Sequence, residues 1–454
     1  MWATRSTSSA WSSDPRDGND RERRWAAIEP LRVAVVGAGI GGLALAAALR
    51  RAGGVRCEVY EQTERLSEVG AGLQLAPNAV RLLHRLGLAG PLRSFGVRPA
   101  ATEIRRWDSG RLLSRTELGS ACEELYGAPY YTVHRAHLHA ALLEAAGPDA
   151  VRLGRRLAGL RRGDGEVLLR FDGPAESGGG EVRAADVVVG ADGIHSAVRA
   201  HLARDAPVWS GQTVYRGLIP GEALPELVDD PAVRVWMGPG QHCVCYPVSS
   251  GRAISFAATV RPDGPGDPPP ESWSAPGDPA DLPRAYRGWD PAVVRLLRAA
   301  SGTGVRRWAL HDREPLRRWS AGRVTLLGDA AHPMLPFLAQ GANQAVEDAL
   351  SLAVCLTGAD TATAPAALRR YEALRIPRTG AVQRGSRGST RVMHLEDGED
   401  QRLRDGAMAS ATALRAMSWL YAHDAEHAAL RPAPVTRTGH PPPAPPSAGS
   451  KASR

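Results

Sequence analysis

The chain has 454 residues, 43% of them hydrophobic, and carries 56 Lys and Arg against 48 Asp and Glu for a formal charge of +8. That length favours two or three domains over one, and the arginines are scattered among acids without a block of like charge, which argues against a nucleic-acid surface. Five scattered cysteines, Cys57, Cys122, Cys243, Cys245 and Cys355, fit a reducing, cytoplasmic setting rather than a disulfide framework, and the single lysine, Lys451, excludes a mechanism built on a buried one.

Residues 1–30 are rich in Ser, Asp and Arg and lack both a hydrophobic period and an apolar run of signal-peptide length. They read as a disordered tail, as do the Pro-, Ala- and Gly-rich residues 431–454. Residues 32–36 form a short apolar strand, Gly37 to Gly42 a turn, 42–51 a helix and 55–60 a second strand, together a βαβ unit of about thirty residues. The stretch 33–49 is apolar enough to resemble a membrane span, but Gly37, Gly39, Gly41 and Gly42 mark a turn inside it, so no transmembrane segment is expected. Helical spacing covers 78–86 and 135–146, strands are expected at 151–154 and 167–171, and a buried strand at 186–190 runs into Ala191-Asp192-Gly193. From about 208 to 260 the pattern alternates, with strands at 213–220, 233–237, 242–248 and 253–259 that form an inserted antiparallel sheet. Residues 261–284 read as a Pro/Gly/Asp-rich loop, and helices follow to about 300. Helical patterns resume after Gly341, with breaks at Pro365 and Pro377, to about 430.

Two histidine and cysteine groupings invite a metal or redox reading. Cys243 and Cys245 alternate on a strand and share a face, which reads as two half-buried cysteines. Among His134, His137 and His139, helical spacing puts only the first two on one face, and no metal is expected.

The first motif with chemistry is Gly37-x-Gly39-x-x-Gly42 between strand and helix, with Glu61 near the end of the second strand. Glycines permit a tight turn and close approach of backbone to a pyrophosphate, the helix N-terminus offers unpaired N–H groups, and the carboxylate can accept from a ribose hydroxyl. This fingerprint does not separate NAD from FAD. A second signature lies almost 300 residues on: Leu326-Leu327-Gly328-Asp329-Ala330-Ala331-His332-Pro333, continuing through Pro336, Gly341, Asn343 and Glu347-Asp348. A remote strand that ends in Gly-Asp and opens a helix suggests a ligand long enough to be held at both ends.

With Asp192-Gly193, Ser196 and Arg199 between these two, the chain resembles the aromatic-ring hydroxylases, FAD-dependent monooxygenases typified by para-hydroxybenzoate hydroxylase, and more closely the salicylate hydroxylase-like enzymes. The resemblance covers residues 31–390 and includes the linking pieces Glu68-Val69-Gly70-Ala71-Gly72-Leu73-Gln74, Val133-His134-Arg135, Tyr215-Arg216-Gly217 and Tyr371-Glu372-x-x-Arg375-x-Pro377-Arg378. It implies an α/β fold: a Rossmann-like FAD-binding domain over 31–205 and 306–375, an antiparallel-sheet substrate domain over 206–305, and a C-terminal helical segment over 376–430. It also implies a monomer or homodimer that uses NADH or NADPH and O₂ to hydroxylate or epoxidise an aromatic or electron-rich small molecule through a flavin hydroperoxide. FAD is expected at Gly37, Gly39, Gly42, Glu61, Ala71, Gly72, Arg135, Asp192, Asp329, Gly341 and Ala342. For Asp192 and Arg199 a strand-to-helix cap joined by an ion pair is the alternative.

Substrate chemistry is expected at Arg216, to hold a carboxylate or phenolate, and at His242 with Tyr246, which share a strand face and can relay a phenolic proton. The alternative has all three as core residues of a sheet. His332, in the helix-opening turn, reads as a structural hydrogen-bonding residue. One departure stands out: several salicylate-type relatives carry a histidine after the proline matching Pro336, and here Phe337 stands there. A halogenase is disfavoured because no lysine outside the C-terminal tail and no Trp-x-Trp-x-Ile-Pro segment is present. An isoprenoid reductase-like flavoprotein and an FAD-binding sensor remain alternatives. The 407–430 stretch can pack on the core, on a second subunit or on a membrane.

Overall fold

The computed structural model describes residues 29–66, 71–163, 165–172, 180–261, 275–410 and 413–432. Most of both expected tails, Glu68-Val69-Gly70 of one matching segment, and 262–274 of the Pro/Gly-rich loop lie outside the described residues.

Val33, Val35, Val187, Val188, Val189 and Val324 are almost wholly inaccessible, the continuous apolar pattern of strands buried on both faces. They belong to a five-stranded parallel sheet in the spatial order Val324–Leu326, Val187–Gly190, Leu31–Val36, Val55–Tyr60, Val151–Arg152. The first strand in the chain is central, so the winding reverses beside it, where open α/β sheets bind ligands. Registers Val36↔Gly190 and Gly190↔Leu326 make three adjacent strands release Gly37, Ala191 and Leu327 at one edge. The helix Ile40–Ala52 follows Gly39, so the apolar 33–49 stretch is divided between strand and helix. Among the described residues no helix is long and apolar enough to cross a membrane.

A seven-stranded sheet forms the second layer, in the order Arg306–Asp312, Val208–Pro220, Ala253–Val260, Gln241–Val248, Ala232–Gly238, Ala101–Arg106, Leu112–Glu117. It is larger than the segment 206–305 expected from the sequence. Arg306–Asp312 pairs with the Val208–Pro220 strand, and Ala101–Arg106 pairs in parallel with Ala232–Gly238. The strands at 101–117 were hidden by their polarity: Glu103 is buried in the sheet with Arg105, Arg115 and Arg234 as its ion-pair partners. An alternation of apolar and polar residues cannot reveal a strand whose inward side chain is a compensated charge.

The helix Ala364–Met393 corrects a second expectation, since it runs through Pro377 without a break. A proline in a helix interior costs about 3 kcal/mol through a lost hydrogen bond and a clash with the preceding turn. Here tertiary contacts on both sides offset that cost. Arg375 and Arg378 are fastened to Glu347, and the Thr379 hydroxyl donates to the Arg375 carbonyl at 3.0 Å. Pro365 lies in the first turn, where a missing N–H costs nothing.

Glu347 and Asp348 are fully buried on the helix Gly341–Leu356. Asp348 accepts from the Gly328 N–H at 2.9 Å, from His332 Nε2 at 2.6 Å and from Arg375 Nε at 2.6 Å. Glu347 accepts from Arg375 at 2.6 Å, Arg378 at 2.8 Å and the Asn78 amide at 2.7 Å. Burial pushes both carboxyls up, yet Arg375 and Arg378 around Glu347, and His332 and Arg375 around Asp348, hold them below the usual carboxylate range. Arg375→Met strands both charges and is expected to lower unfolding stability by about 3–5 kcal/mol, read from denaturant melts. Because both folded-state values are depressed, the stability they contribute is fully present above the ordinary carboxylate range and is lost as pH falls below it toward the lower folded-state values. Acid titration of the fold should therefore show a loss in wild type that Arg375→Met largely lacks.

Candidate active site

At the sheet edge Gly37 has φ 104°, and a Cβ there would lie 2.4 Å from the Ala191 carbonyl oxygen. A Cβ at Gly42 would lie 2.1 Å from the Gly37 oxygen, so these two glycines make the turn and the close helix–strand packing possible. Gly39 differs: a Cβ there meets nothing within 4 Å, and the residue lines the main cavity with Ile40 and Gly41. The backbone at the helix N-terminus thus borders open space, the arrangement a diphosphate requires. Glu61 is not on the cavity wall. Its carboxylate takes the Ala38 N–H at 2.9 Å and the Thr63 N–H at 3.0 Å and so shapes the loop, which leaves further acceptor positions on both oxygens.

The distant signature closes the same cavity. Gly328 has φ 63°, and after it Asp329, Gly341 and Ala342 line the wall together with Arg135 and Gly72. Burial by the surrounding protein raises the Asp329 carboxyl, with His332 and Arg135 opposing that rise. Asp348 holds the Gly328 N–H, and His332 is spent on the same carboxylate, a structural hydrogen bond as its position in the turn suggests. The Ala71 carbonyl receives the Arg135 backbone N–H at 2.9 Å and orients the start of the helix Arg135–Ala146. Gly72 marks the junction of the two layers: its N–H donates to Ser255 Oγ at 3.0 Å, and a Cβ would lie 2.5 Å from that oxygen and 2.6 Å from the Tyr246 ring.

Asp192 lies off the cavity. Its two oxygens accept from Ser196 Oγ at 2.5 Å and from the Val198 N–H at 3.2 Å, while Ala191 and Gly193 on either side do line the wall. The cap alternative describes this geometry, except that the expected ion pair has another partner. Arg199, fully buried, pairs with Asp205 and donates to the Ala330 and Ala331 carbonyls at 2.9 Å, which ties the Asp-Gly turn to the Gly-Asp turn.

On the opposite wall the seven-stranded sheet presents Arg216, His242, Val244 and Tyr246. The alternation works as read: His242, Val244 and Tyr246 line the cavity, while Cys243 and Cys245 face away into the core with free, buried thiols that burial pushes up. Arg216 stacks over the Trp308 ring at 4.7 Å, and among the described residues no carboxylate lies within ion-pair distance of it. Burial lowers its pKa, opposed by Tyr246 and assisted by Arg135. The Tyr246 hydroxyl is raised by burial, against the pull of Arg216. Phe337 also lines the cavity and packs edge-on against His242 at 5.3 Å.

Three contributors were not read from the sequence. Gln74 lines the wall and receives the Tyr130 hydroxyl at 2.7 Å. Trp308 lies on the strand assigned to the wrong layer, so its place under Arg216 had no signal. His394, at the end of the 30-residue helix, reaches His242 Nδ1 at 2.8 Å. No motif contains it; only the long helical period leading away from Gly341 hinted that distant residues return to the site. Among the described residues no cluster of three or more metal-ligating side chains occurs.

A family model for an FAD binding domain matches residues 30–386. The chain is 49% identical over 395 residues to the 3-amino-4-hydroxybenzoate 2-monooxygenase PtnB3 of Streptomyces platensis, covering 87% of this chain and 96% of that protein. It is 37% identical to the 6-hydroxynicotinate 3-monooxygenase of Bordetella bronchiseptica, covering 79% and 91%. Among solved structures, HpxO of Klebsiella pneumoniae complexed with FAD and uric acid aligns with a TM-score of 0.74 at 29% identity, covering 86% and 95%. A salicylate hydroxylase substrate complex aligns with a TM-score of 0.74 at 28% identity, covering 89% and 99%. Because a Cβ at Gly39 meets only the cavity, Gly39→Val is expected to keep its thermal stability and to bind FAD at least about tenfold more weakly, measured by flavin fluorescence titration. With matches over most of its length, this chain belongs to the FAD-dependent aromatic hydroxylases and is an FAD-dependent aromatic monooxygenase.

Proposed function

We propose that the substrate is an aromatic acid of the aminohydroxybenzoate type, hydroxylated with NADH or NADPH and O₂ in the cytoplasm. The observation that carries this reading is Arg216: a half-buried guanidinium on the cavity wall, stacked on Trp308, with no carboxylate partner among the described residues. A buried cation without a counter-ion is costly, and an incoming carboxylate supplies the charge and the bidentate hydrogen bonds that offset this cost. The relatives named for 3-amino-4-hydroxybenzoate support the choice of acid. The alternatives of an isoprenoid reductase or a sensor have no such support.

FAD, when bound, takes a hydride from the nicotinamide and activates O₂ for transfer to the ring. We assign it to the cavity wall of Gly39, Gly72, Arg135, Asp329, Gly341 and Ala342, with Gly37, Gly42, Ala71, Glu61 and Asp192 ordering the turns at its edge. The N–H groups at the start of the Gly341 helix are suited to negative charge on the flavin's pyrimidine edge. Val214, Val244, Met334 and Phe337 make an apolar slot for the ring and keep water from it. Arg216 holds the carboxylate and Tyr246 orients the ring. An ortho-amino phenol is already electron-rich, which is compatible with Phe337 in the place where several relatives carry a histidine.

Arg216→Met is expected to weaken binding of 3-amino-4-hydroxybenzoate by about 2–3 kcal/mol, roughly a hundredfold, and to affect 2-aminophenol far less. Titration of the flavin absorbance with both ligands checks this. Equal losses for acid and phenol would rule out a carboxylate clamp.

A further inference from the structure

The His242 ring does not end the polar path from the cavity. Its Nδ1 is 2.8 Å from Nε2 of His394, with ring centroids 5.1 Å apart. This contact is built from several sides. The His394 carbonyl accepts the Gly240 N–H at 3.1 Å, which fastens the end of the long helix to the turn that leads into His242. The His242 N–H donates to Thr259 Oγ1 at 2.8 Å, and the Tyr286 hydroxyl donates to the His242 carbonyl at 2.7 Å. Phe337 packs edge-on against both imidazoles, at 5.3 and 5.7 Å.

An N···N contact of this length needs one N–H, so one ring donates and the other accepts. Burial pushes His242 down to about 3, with His394 adding to the effect, and burial with the Arg261 charge pushes His394 down to about 4. Both are neutral near pH 7. If His242 donates from Nδ1, its Nε2 carries a lone pair, and no hydrogen bond occupies that atom among the described residues. His394 then holds its own proton on Nδ1, a buried atom that also lacks a hydrogen-bond partner among the described residues. The charge acting on His394 is that of Arg261, which is itself ion-paired with Glu396, while nearby in the chain Asp397 pairs with Arg106.

We propose that His394 is a relay residue for oxygenation, carrying the substrate's ring-hydroxyl proton away from the cavity through His242. The O–H bond of the phenol breaks as an N–H bond forms at Nε2 of His242. The Nδ1–H bond of His242 breaks as an N–H bond forms at Nε2 of His394. The result is a phenolate in the cavity and an imidazolium on His394, with no net change in charge. The positive charge thereby forms on half-buried His394, outside the cavity lining, rather than on the cavity wall. The pair supplies a base from the sheet side, where Phe337 leaves none on the Gly-Asp side. This inference rests on the reading that the substrate carries a ring hydroxyl. His394 does not line the cavity; it acts through His242.

The test uses FAD-loaded wild type, His394→Phe and His394→Gln with 3-amino-4-hydroxybenzoate, measuring its dissociation constant and the hydroxylated product formed per NAD(P)H between about pH 6 and pH 9. The glutamine keeps a hydrogen bond to His242 but cannot take up the proton. Both variants are expected to bind within about twofold of wild type and to lose about tenfold in product yield near pH 7, with the yield recovering as pH approaches the phenol's own pKa. Wild-type yield in either variant near pH 7, or a loss equal at every pH, overturns the relay alone. A wild-type enzyme that oxidises NAD(P)H with this phenol and forms no hydroxylated product overturns the substrate reading, and the relay with it.

Discussion

Asp348 is the point on which the site depends. One buried carboxylate simultaneously holds the Gly328 N–H of the Gly-Asp turn, His332 four residues later, and Arg375 of the long helix. Removing a carboxylate from water costs several kcal/mol, and only complete hydrogen bonding with an opposite charge offsets it. That condition is met here, and Glu347 repeats it with Arg375, Arg378, Asn78 and Gln344. The consequence is geometric. The turn after Leu326, the helix starting at Gly341 and the helix Ala364–Met393 are fastened to one another, so the distant wall of the cavity and the helix that leads to His394 are positioned by the same charges.

The second constraint is the seam between the two sheets. The parallel sheet contributes an edge of backbone turns, and the seven-stranded sheet contributes a face of side chains. At Gly72 they approach so closely that a methyl group would collide with Ser255 and Tyr246. Asn343 fastens the same segment from the other side, giving its amide to the Gln74 carbonyl at 3.0 Å and accepting the Ala76 N–H at 2.9 Å. Polar groups fixed in this way need no reorganisation when charge develops on cofactor or ring, which is where such sites gain rate.

Most of the turns around the candidate cofactor cavity were legible in the sequence because such turns need local patterns. A tight turn against a strand demands glycine at Gly37 and Gly42, and a helix opening beside Asp329 demands the Gly-Asp sequence. The substrate side was partly legible, since period-two alternation puts His242 and Tyr246 on one face wherever the strand goes. What escaped depends on contacts between distant segments. Glu103 makes a buried strand look like a surface one, Asp205 rather than Asp192 takes Arg199, and Arg375 and Arg378 carry a helix across Pro377. His394 is the extreme case. Its neighbours in sequence are the polar end of a helix, and its role arises only because Gly240 catches that end 154 positions earlier in the chain.

For the aromatic acid proposed above, the charges around the cavity also imply an orientation of the ring. Arg216 and Arg135 bring guanidinium groups to the wall, whereas the Asp329 carboxyl is raised and both imidazoles of the His242–His394 pair are held neutral near pH 7. The wall is therefore positive at the arginines and uncharged at the histidines. An aromatic acid has one group that is anionic in water and one that is not, its carboxylate and its hydroxyl. Placing the carboxylate beside neutral imidazoles would bury an uncompensated charge, while placing it at Arg216 compensates two charges together. The hydroxyl then falls to the remaining polar part of the wall, with His242 and Tyr246. Substrate orientation and proton removal thus have a common origin: desolvation leaves the arginine charged and forces the histidines to be neutral.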